Sequence, residues 1–219
     1  MSAIDGVIFD LDGVILQSEE LWDEARRDLV RERGGRWTPE ATADMMGMSS
    51  RDWPRYMHDR LGVELTPEEI DADVVRRLIE RYEHELPLIP GATDAVRRLA
   101  ARWPLAVASS SNRPVIDLVL ARAGIAGCFR ATVSSEEVGR GKPSPDVYLE
   151  AARRLGVAPE RAAAVEDSAN GIRAGRAAGM RVIAVPNPAY RPDESVLGQA
   201  DVVLERIGEL TPEVVDPGS

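Results

Sequence analysis

Asp10 and Asp12 stand two residues apart, directly behind the apolar run Val7-Ile8-Phe9 and directly ahead of Gly13. Short apolar runs of this kind suit a buried strand in a parallel sheet. A strand that ends in carboxylates presents them at its C-terminal edge, where open α/β sheets bind ligands. Two carboxylates held close repel one another unless a cation or a shared proton intervenes. A hard, oxygen-seeking ion such as Mg²⁺ is the simplest remedy. The same residues also read as a strand followed by an acidic turn with a permissive glycine, so the other strand ends decide.

Three further strand ends carry chemistry. Leu105-Ala106-Val107-Ala108 runs into Ser109-Ser110-Ser111-Asn112. Hydroxyls and free backbone N–H groups at a strand-to-helix turn suit a phosphate oxygen, although the run also reads as an N-cap ahead of Pro114. After Ala131-Thr132-Val133 comes a loop bounded by glycine and proline that holds Lys142, the only lysine among 27 basic residues. A lysine fixed there acts as a point charge toward phosphate. It is not a P-loop, because Gly141-Lys142 runs into Pro143 and no glycine stands five residues before Gly141. Ala163-Ala164-Val165 ends in Glu166-Asp167-Ser168. Asp167 could be an N-cap, but adjacent carboxylates behind a buried strand are costly without a balancing cation. Parallel strands present all these ends on one edge. There the acids would supply Mg²⁺ ligands, while the serine and the lysine would neutralise a phosphoryl group.

The elements that must position these residues follow from periodicity. Residues 18 to 33 carry an apolar helical stripe at Leu21, Ala25, Leu29 and Val30, stopped by Gly34-Gly35. Thr38-Pro39-Glu40 reads as a helix start for a segment ending near Gly47, and residues 49 to 61 form a further helical candidate with Pro54 in its first turn. Thr66-Pro67-Glu68-Glu69 is a capping box ahead of Ile70, Val74, Val75, Leu78, Ile79 and Tyr82. From Ile89 the chain alternates, with helices over 93–102, 114–123, 144–155 and 169–178 and strands over 105–108, 131–133, 163–165, 181–185 and 201–204. This pattern predicts an α/β fold: a Rossmann-like parallel sheet core from residues 1–16 and 88–219, with an inserted all-α cap domain at 17–87 above the acidic edge. Gly171, Gly175 and Gly179 are spaced for close helix–sheet packing, and the polar residues beyond Leu210 are expected to fray.

Composition narrows the partners. The 219 residues are 44% hydrophobic with 5% aromatics, enough for a sizeable aliphatic core. A net charge of −10 argues against nucleic acid and anionic membrane surfaces, and no apolar run reaches the length of a membrane span. Cys128 is the only cysteine, which rules out an internal disulfide, fits a reducing compartment and suggests a small core residue. Asp5 and Asp10 come too early for a signal peptide. His58 and His84 lie in charged helical stretches and read as surface residues. A cytoplasmic monomer acting on a small phosphorylated metabolite is expected.

Four motifs now stand in order across essentially the whole chain: Phe9-Asp10-Leu11-Asp12-Gly13-Val14, Val107-Ala108-Ser109-Ser110-Ser111-Asn112, Gly141-Lys142-Pro143-Ser144-Pro145-Asp146, and Val165-Glu166-Asp167-Ser168 with Asn170-Gly171-Ile172. In this the sequence resembles the haloacid dehalogenase superfamily, in its aspartyl-phosphate phosphatase branch, and is similar to the β-phosphoglucomutase-like group with a small helical cap. The resemblance implies that Asp10 is the nucleophile, forming a phosphoaspartate, and a metal ligand. It implies that Asp12 is the general acid/base with its backbone carbonyl on Mg²⁺, and that Ser109 and Lys142 hold the phosphoryl group. Asp167 would bind the metal directly, and Glu166 directly or through water. Ser110, Asn112 and Arg51 are the expected substrate contacts, Arg51 in the cap turn Gly47-Met48-Ser49-Ser50-Arg51, unless it is simply an exposed helix-start residue. Mutases of the group carry a histidine where Trp22 aligns. Trp22 cannot relay a proton and reads as an aromatic packed between cap and core. The implied activity is therefore Mg²⁺-dependent hydrolysis of a phosphate ester such as a sugar phosphate. A β-phosphoglucomutase-type phosphomutase and a non-catalytic phospho-binding module are the alternatives.

Overall fold

The computed structural model describes residues 3–46 and 48–218. Gly47, at which the sequence places the end of one helical segment and the start of the cap turn, lies outside the described residues. The chain opens with β1 (Gly6–Phe9) and continues through α1 (Glu19–Glu32), α2 (Ala41–Met45), α3 (Asp52–Asp59) and α4 (Pro67–His84) with no intervening strand among the described residues. It then alternates: α5 (Ala92–Ala100), β2 (Leu105–Ser109), α6 (Arg113–Arg122), β3 (Phe129–Ser134), α7 (Asp146–Leu155), β4 (Ala162–Glu166), α8 (Ala169–Ala177) and β5 (Arg181–Ala184). The short elements α9 (Glu194–Leu197), β6 (Val202–Val203) and α10 (Pro212–Val215) complete it.

The six strands form one parallel sheet in the order β3-β2-β1-β4-β5-β6. Every residue of β1, β2 and β4 is buried, as the apolar runs require of strands covered on both faces. Helix α7 packs across β1, β2 and β3, and α8 across β4 and β5. Register then sets the site: Phe9 lies opposite both Val107 and Val165, so Asp10 and Glu166 leave the sheet at one level with the end of β2 between β1 and β3. The crossings into and out of the helical segment are tied together. Gln17 N donates to Pro87 O at 2.8 Å and Ile89 N to Ile15 O at 2.9 Å. Within that segment the Thr66 capping box forms in full, and α4 packs against α1 and α3 and reaches over to α6.

Four local expectations are corrected. The helix after Thr38 starts later: α2 begins at Ala41, and Thr38 to Glu40 form a turn in which Ala41 N donates to Thr38 O. Helix α8 is capped by Ser168, not Asp167, with Ser168 Oγ accepting from Gly171 N at 3.1 Å. A Cβ at Gly179 would meet nothing within 4 Å, so close packing does not require this glycine; it takes a left-handed φ of 78° just past the end of α8. The tail docks: Leu210 and Val215 are fully buried, and Arg98 Nη2 donates to Leu210 O at 2.8 Å. The apolar pair Val214-Val215 supplies the anchor that a polar reading of this segment overlooked. Among the described residues no helix is long and apolar enough to cross a membrane.

Candidate active site

Asp10 follows β1 directly and is held by the sheet itself, its N–H donating to Val165 O at 3.0 Å. Lys142 enters from the loop before α7 and is buried; its Nζ forms ion pairs with Asp10 Oδ1 at 3.0 Å and Glu166 Oε1 at 2.5 Å. Glu166, the last residue of β4, is wholly buried and saturated. Its Oε1 also accepts from Tyr148 Oη at 2.7 Å, while Oε2 accepts from Asp167 N, Ser168 N and Ser168 Oγ at 3.1–3.3 Å. Asp167 comes next, against the turn at Gly13. A Cβ at Gly13 would stand 1.9 Å from Asp167 Oδ2, and φ there is +75°, so only glycine lets the two segments meet.

This cluster is short of positive charge. Carboxylate oxygens of Asp10, Glu166 and Asp167 lie within 4.8 Å of one another, all buried, with Lys142 as the cation among them. Burial, then the charge of Glu166, pushes the Asp10 carboxyl well above the usual carboxylate range, with Lys142 opposing. Burial followed by the charges of Glu166 and Asp10 does the same to Asp167. Burial pulls the Lys142 ammonium down, but the two carboxylates outweigh it and the net shift is upward. Asp10 Oδ1 is buried, with Lys142 Nζ at 3.0 Å as its cationic neighbour among the described residues. Three buried carboxylates that share a single ammonium are a donor set a hard divalent cation takes. The residues therefore fit Mg²⁺, with Asp10 and Asp167 open to it and Glu166 already filled by protein donors.

Asp12 is set apart from these acids by what holds it. Its Oδ1 accepts from Ser18 Oγ at 2.5 Å and from the Trp22 indole N–H at 3.2 Å, and its Oδ2 accepts from Ser111 Oγ at 2.6 Å. The pocket above has Asp10, Asp12, Ser110, Ser111, Lys142 and Asp167 as its floor. Its roof comes from the helical segment: Trp22 and Arg26 of α1, Met45 of α2 and Trp53 of α3. Glu19, at the start of α1, also lines it, its carboxyl pushed up to about 7 by burial and then by Asp12.

Of the expected contacts, Ser109 lies directly beneath the pocket floor and two others lie elsewhere. Ser109, the last residue of β2, is fully buried below the pocket, its Oγ accepting from Ser111 N at 3.0 Å, and its own proton has no acceptor among the described residues. Asn112 does not line the pocket; its amide donates to both Asp71 oxygens, at 3.1 and 2.9 Å, and to Glu136 Oε1. Arg51 is exposed and donates from Nη2 to Glu136 O at 2.9 Å. Asn112 and Arg51 thus stitch the helical segment to the loops behind β2 and β3. Conversely, Ser111, Ser18, Tyr148, Arg26 and Trp53 belong to the site or its support without having been singled out. Ser111 could have been, since it sits in the run behind β2. Trp22 was noticed, but its indole N–H turns out to serve Asp12.

Known proteins with this architecture bear on the chemistry. A family model described as haloacid dehalogenase-like hydrolase matches residues 4–179. Hexitol phosphatase B of Escherichia coli (strain K12) is 33% identical over 93% of each chain. Fructose-1-phosphate phosphatase YqaB of the same organism is 31% identical over 82% of this chain and 95% of that one. The crystal structure of CbbY from Rhodobacter sphaeroides in complex with phosphate superposes with a TM-score of 0.86 at 30% identity, covering 97% of this chain and 99% of that one. The β-phosphoglucomutase of Clostridium difficile shares the fold, with a TM-score of 0.84 at 21% identity, 98% of this chain and 96% of that one being covered. The chain therefore belongs to the haloacid dehalogenase-like hydrolases, as a phosphoric monoester hydrolase.

Proposed function

We propose that this chain is a Mg²⁺-dependent phosphatase that releases inorganic phosphate from a small phosphorylated sugar or polyol through a phosphoaspartate on Asp10. The observation that carries the reading is the contrast between two aspartates two residues apart. Asp10 is buried and among the described residues meets a side-chain donor only at Lys142, whose Nζ lies 3.0 Å from Oδ1, while Asp12 is fixed on both oxygens by three donors. One is presented as a nucleophile and the other held in place to move a proton.

A carboxylate oxygen of Asp10 attacks phosphorus as the bond to the leaving oxygen breaks, and Asp12 gives that oxygen its proton. Water then attacks the phosphoaspartate, giving its proton to Asp12, and phosphate leaves with Asp10 restored. Lys142, Ser110 and the Ser109 hydroxyl offset the charge on the transferring oxygens. Asp10, the Asp12 backbone carbonyl and Asp167 would hold Mg²⁺, with Glu166 reaching it through water. When bound it supplies charge for the phosphoryl oxygens and relieves the repulsion among the buried acids. The sugar or polyol class is carried over from the hexitol and fructose 1-phosphate phosphatases similar to this chain.

The phosphomutase reading fares worse. It needs a proton-relaying histidine where Trp22 stands, and the indole N–H is committed to Asp12. Phosphate release from a panel of sugar and polyol phosphates, with Mg²⁺ added or chelated, tests the proposal. Hydrolysis is expected with Mg²⁺ only, and is lost in Asp10→Asn with the melting temperature retained. Turnover that survives Asp10→Asn removes Asp10 from the nucleophile role, and an isomerised sugar in place of free phosphate restores the mutase.

A further inference from the structure

Arg26 lies one helical turn beyond Trp22 on α1 and is 9% exposed. Its guanidinium carbon sits 5.0 Å from the Trp22 ring centre and 4.9 Å from that of Trp53, so indoles from α1 and α3 clamp it. Its Nε is buried without an acceptor, and among the described residues no carboxylate stands in ion-pair range of the guanidinium. Asp23, the neighbouring acid whose charge it feels most, is already engaged. Its Oδ2 accepts from Arg27 Nε at 2.6 Å and its Oδ1 from Thr42 Oγ1 at 2.5 Å.

An arginine buried this deeply normally has a partner. Stacking on two indoles recovers only part of what desolvating the ion costs. Asp23 and Asp12 offset part of the remainder at a distance, but no ion pair forms among the described residues, and the guanidinium lines the same pocket that holds Asp10, Asp12 and Lys142. Lys142 is tied to Asp10 and Glu166. Arg26 is thus the uncommitted cation of the pocket among the described residues, in a chain of net charge −10. A planar fork of N–H donors, held flat between two rings, matches a carboxylate or a phosphate better than a hydroxyl.

We propose that Arg26 is a specificity-determining residue that binds a second anionic group, a carboxylate or a phosphate, on the leaving group of the ester hydrolysed at Asp10. The proposal rests on the phosphatase reading for where the first phosphoryl group sits. Its consequence is that a neutral sugar phosphate is a poor substrate, because binding it leaves the guanidinium buried and unpaired.

Matched pairs test it. 6-Phosphogluconate differs from sorbitol 6-phosphate in carrying a carboxylate for a hydroxymethyl group, and fructose 1,6-bisphosphate from fructose 6-phosphate by a phosphate. The ratio of kcat/KM within each pair is measured for the wild-type chain, Arg26→Met and Arg26→Gln. The wild type is expected to favour the anionic member of at least one pair about tenfold or more. That ratio is expected to fall to within about threefold of unity in both variants, with the change mainly in KM. Which pair responds distinguishes carboxylate from phosphate. The ratio cancels any general loss from poorer folding, and the two variants guard against failure of either to fold. The same ratios read as Kd values by calorimetry on an Asp10→Asn background need no turnover, so failure of the phosphatase reading leaves this proposal decidable. A wild-type ratio near unity in both pairs, or a preference preserved without Arg26, overturns it.

Discussion

Replacing Gly171 by alanine pits two known effects against each other. Gly171 is the third residue of α8, and alanine in a helix is normally favoured over glycine by about 1 kcal/mol. Here, however, a Cβ would stand 1.8 Å from Glu166 Cδ and 1.9 and 2.0 Å from its two oxygens. Glu166 has nowhere to go: it is fully buried, and its oxygens receive Lys142, Tyr148, the N–H groups of Asp167 and Ser168, and the Ser168 hydroxyl. Overpacking a rigid core costs about 1–3 kcal/mol, and losing one charge-assisted hydrogen bond of the set adds about 1.5–3 kcal/mol. After the helix gain is subtracted, Gly171→Ala is expected to destabilise by about 2–5 kcal/mol. For a chain of this size that lowers the melting temperature by about 4–20 °C. Scanning calorimetry measures it, with Gly175→Ala as control. That Cβ meets only Val182 Cγ2 at 3.0 Å and Ala164 Cβ at 3.2 Å, so the change should stay within about 1 kcal/mol. A Gly171→Ala chain that melts at or above the wild type would refute the reasoning, as would a Gly175→Ala chain that loses more.

Two other perturbations follow from the seam between the helical segment and the sheet. Trp22→Phe keeps an aromatic ring against Arg26 but removes the donor 3.2 Å from Asp12 Oδ1. A hydrogen bond to a carboxylate is worth about 1.5–3 kcal/mol, so kcat should fall about 12- to 160-fold, and an unchanged kcat in steady-state assays removes Trp22 from the support of Asp12. Asp71 is pushed up to about 6 by burial, with Glu136 adding and the Asn112 amide opposing. A carboxyl raised in the folded state favours folding below its ordinary range, and that contribution is lost as the pH rises through about 6. Asparagine does not titrate, so the melting temperature of Asp71→Asn relative to the wild type should rise between pH 5 and pH 8; a gap that narrows contradicts the assignment.

The floor of the site was legible because a parallel sheet converts sequence into position. Each apolar run ends on the same edge, so Asp10, Lys142, Glu166 and Asp167 could be placed together from the strand pattern and then met within ion-pair distance. The roof was not legible, because helical periodicity says which face of α1 is buried but not against what. Trp22 and Arg26, four residues apart, share a side of α1, yet the stripe at Leu21, Ala25 and Leu29 drew attention to core packing and left Arg26 with the solvated charges. Asn112 and Arg51 failed in the opposite direction. Both have the chemistry of a substrate contact, but long-range packing spends their donors on Asp71 and on the Glu136 carbonyl.

The two aspartates also differ in what would happen to them if the helical segment moved. Asp10 takes its support from the sheet and from Lys142, all within the core. Asp12 is held from both sides of the crossing: Ser111 reaches it from the turn after β2, while Ser18 and Trp22 reach it from the start of α1. Swinging α1 away would leave Asp10 in place but strip two of three donors from Asp12 and unclamp Arg26 from the pocket. On the proposed mechanism, chemistry at Asp10 would thereby be coupled to a closed roof through Asp12, since an ester that fails to hold α1 down would meet Asp10 without a positioned acid.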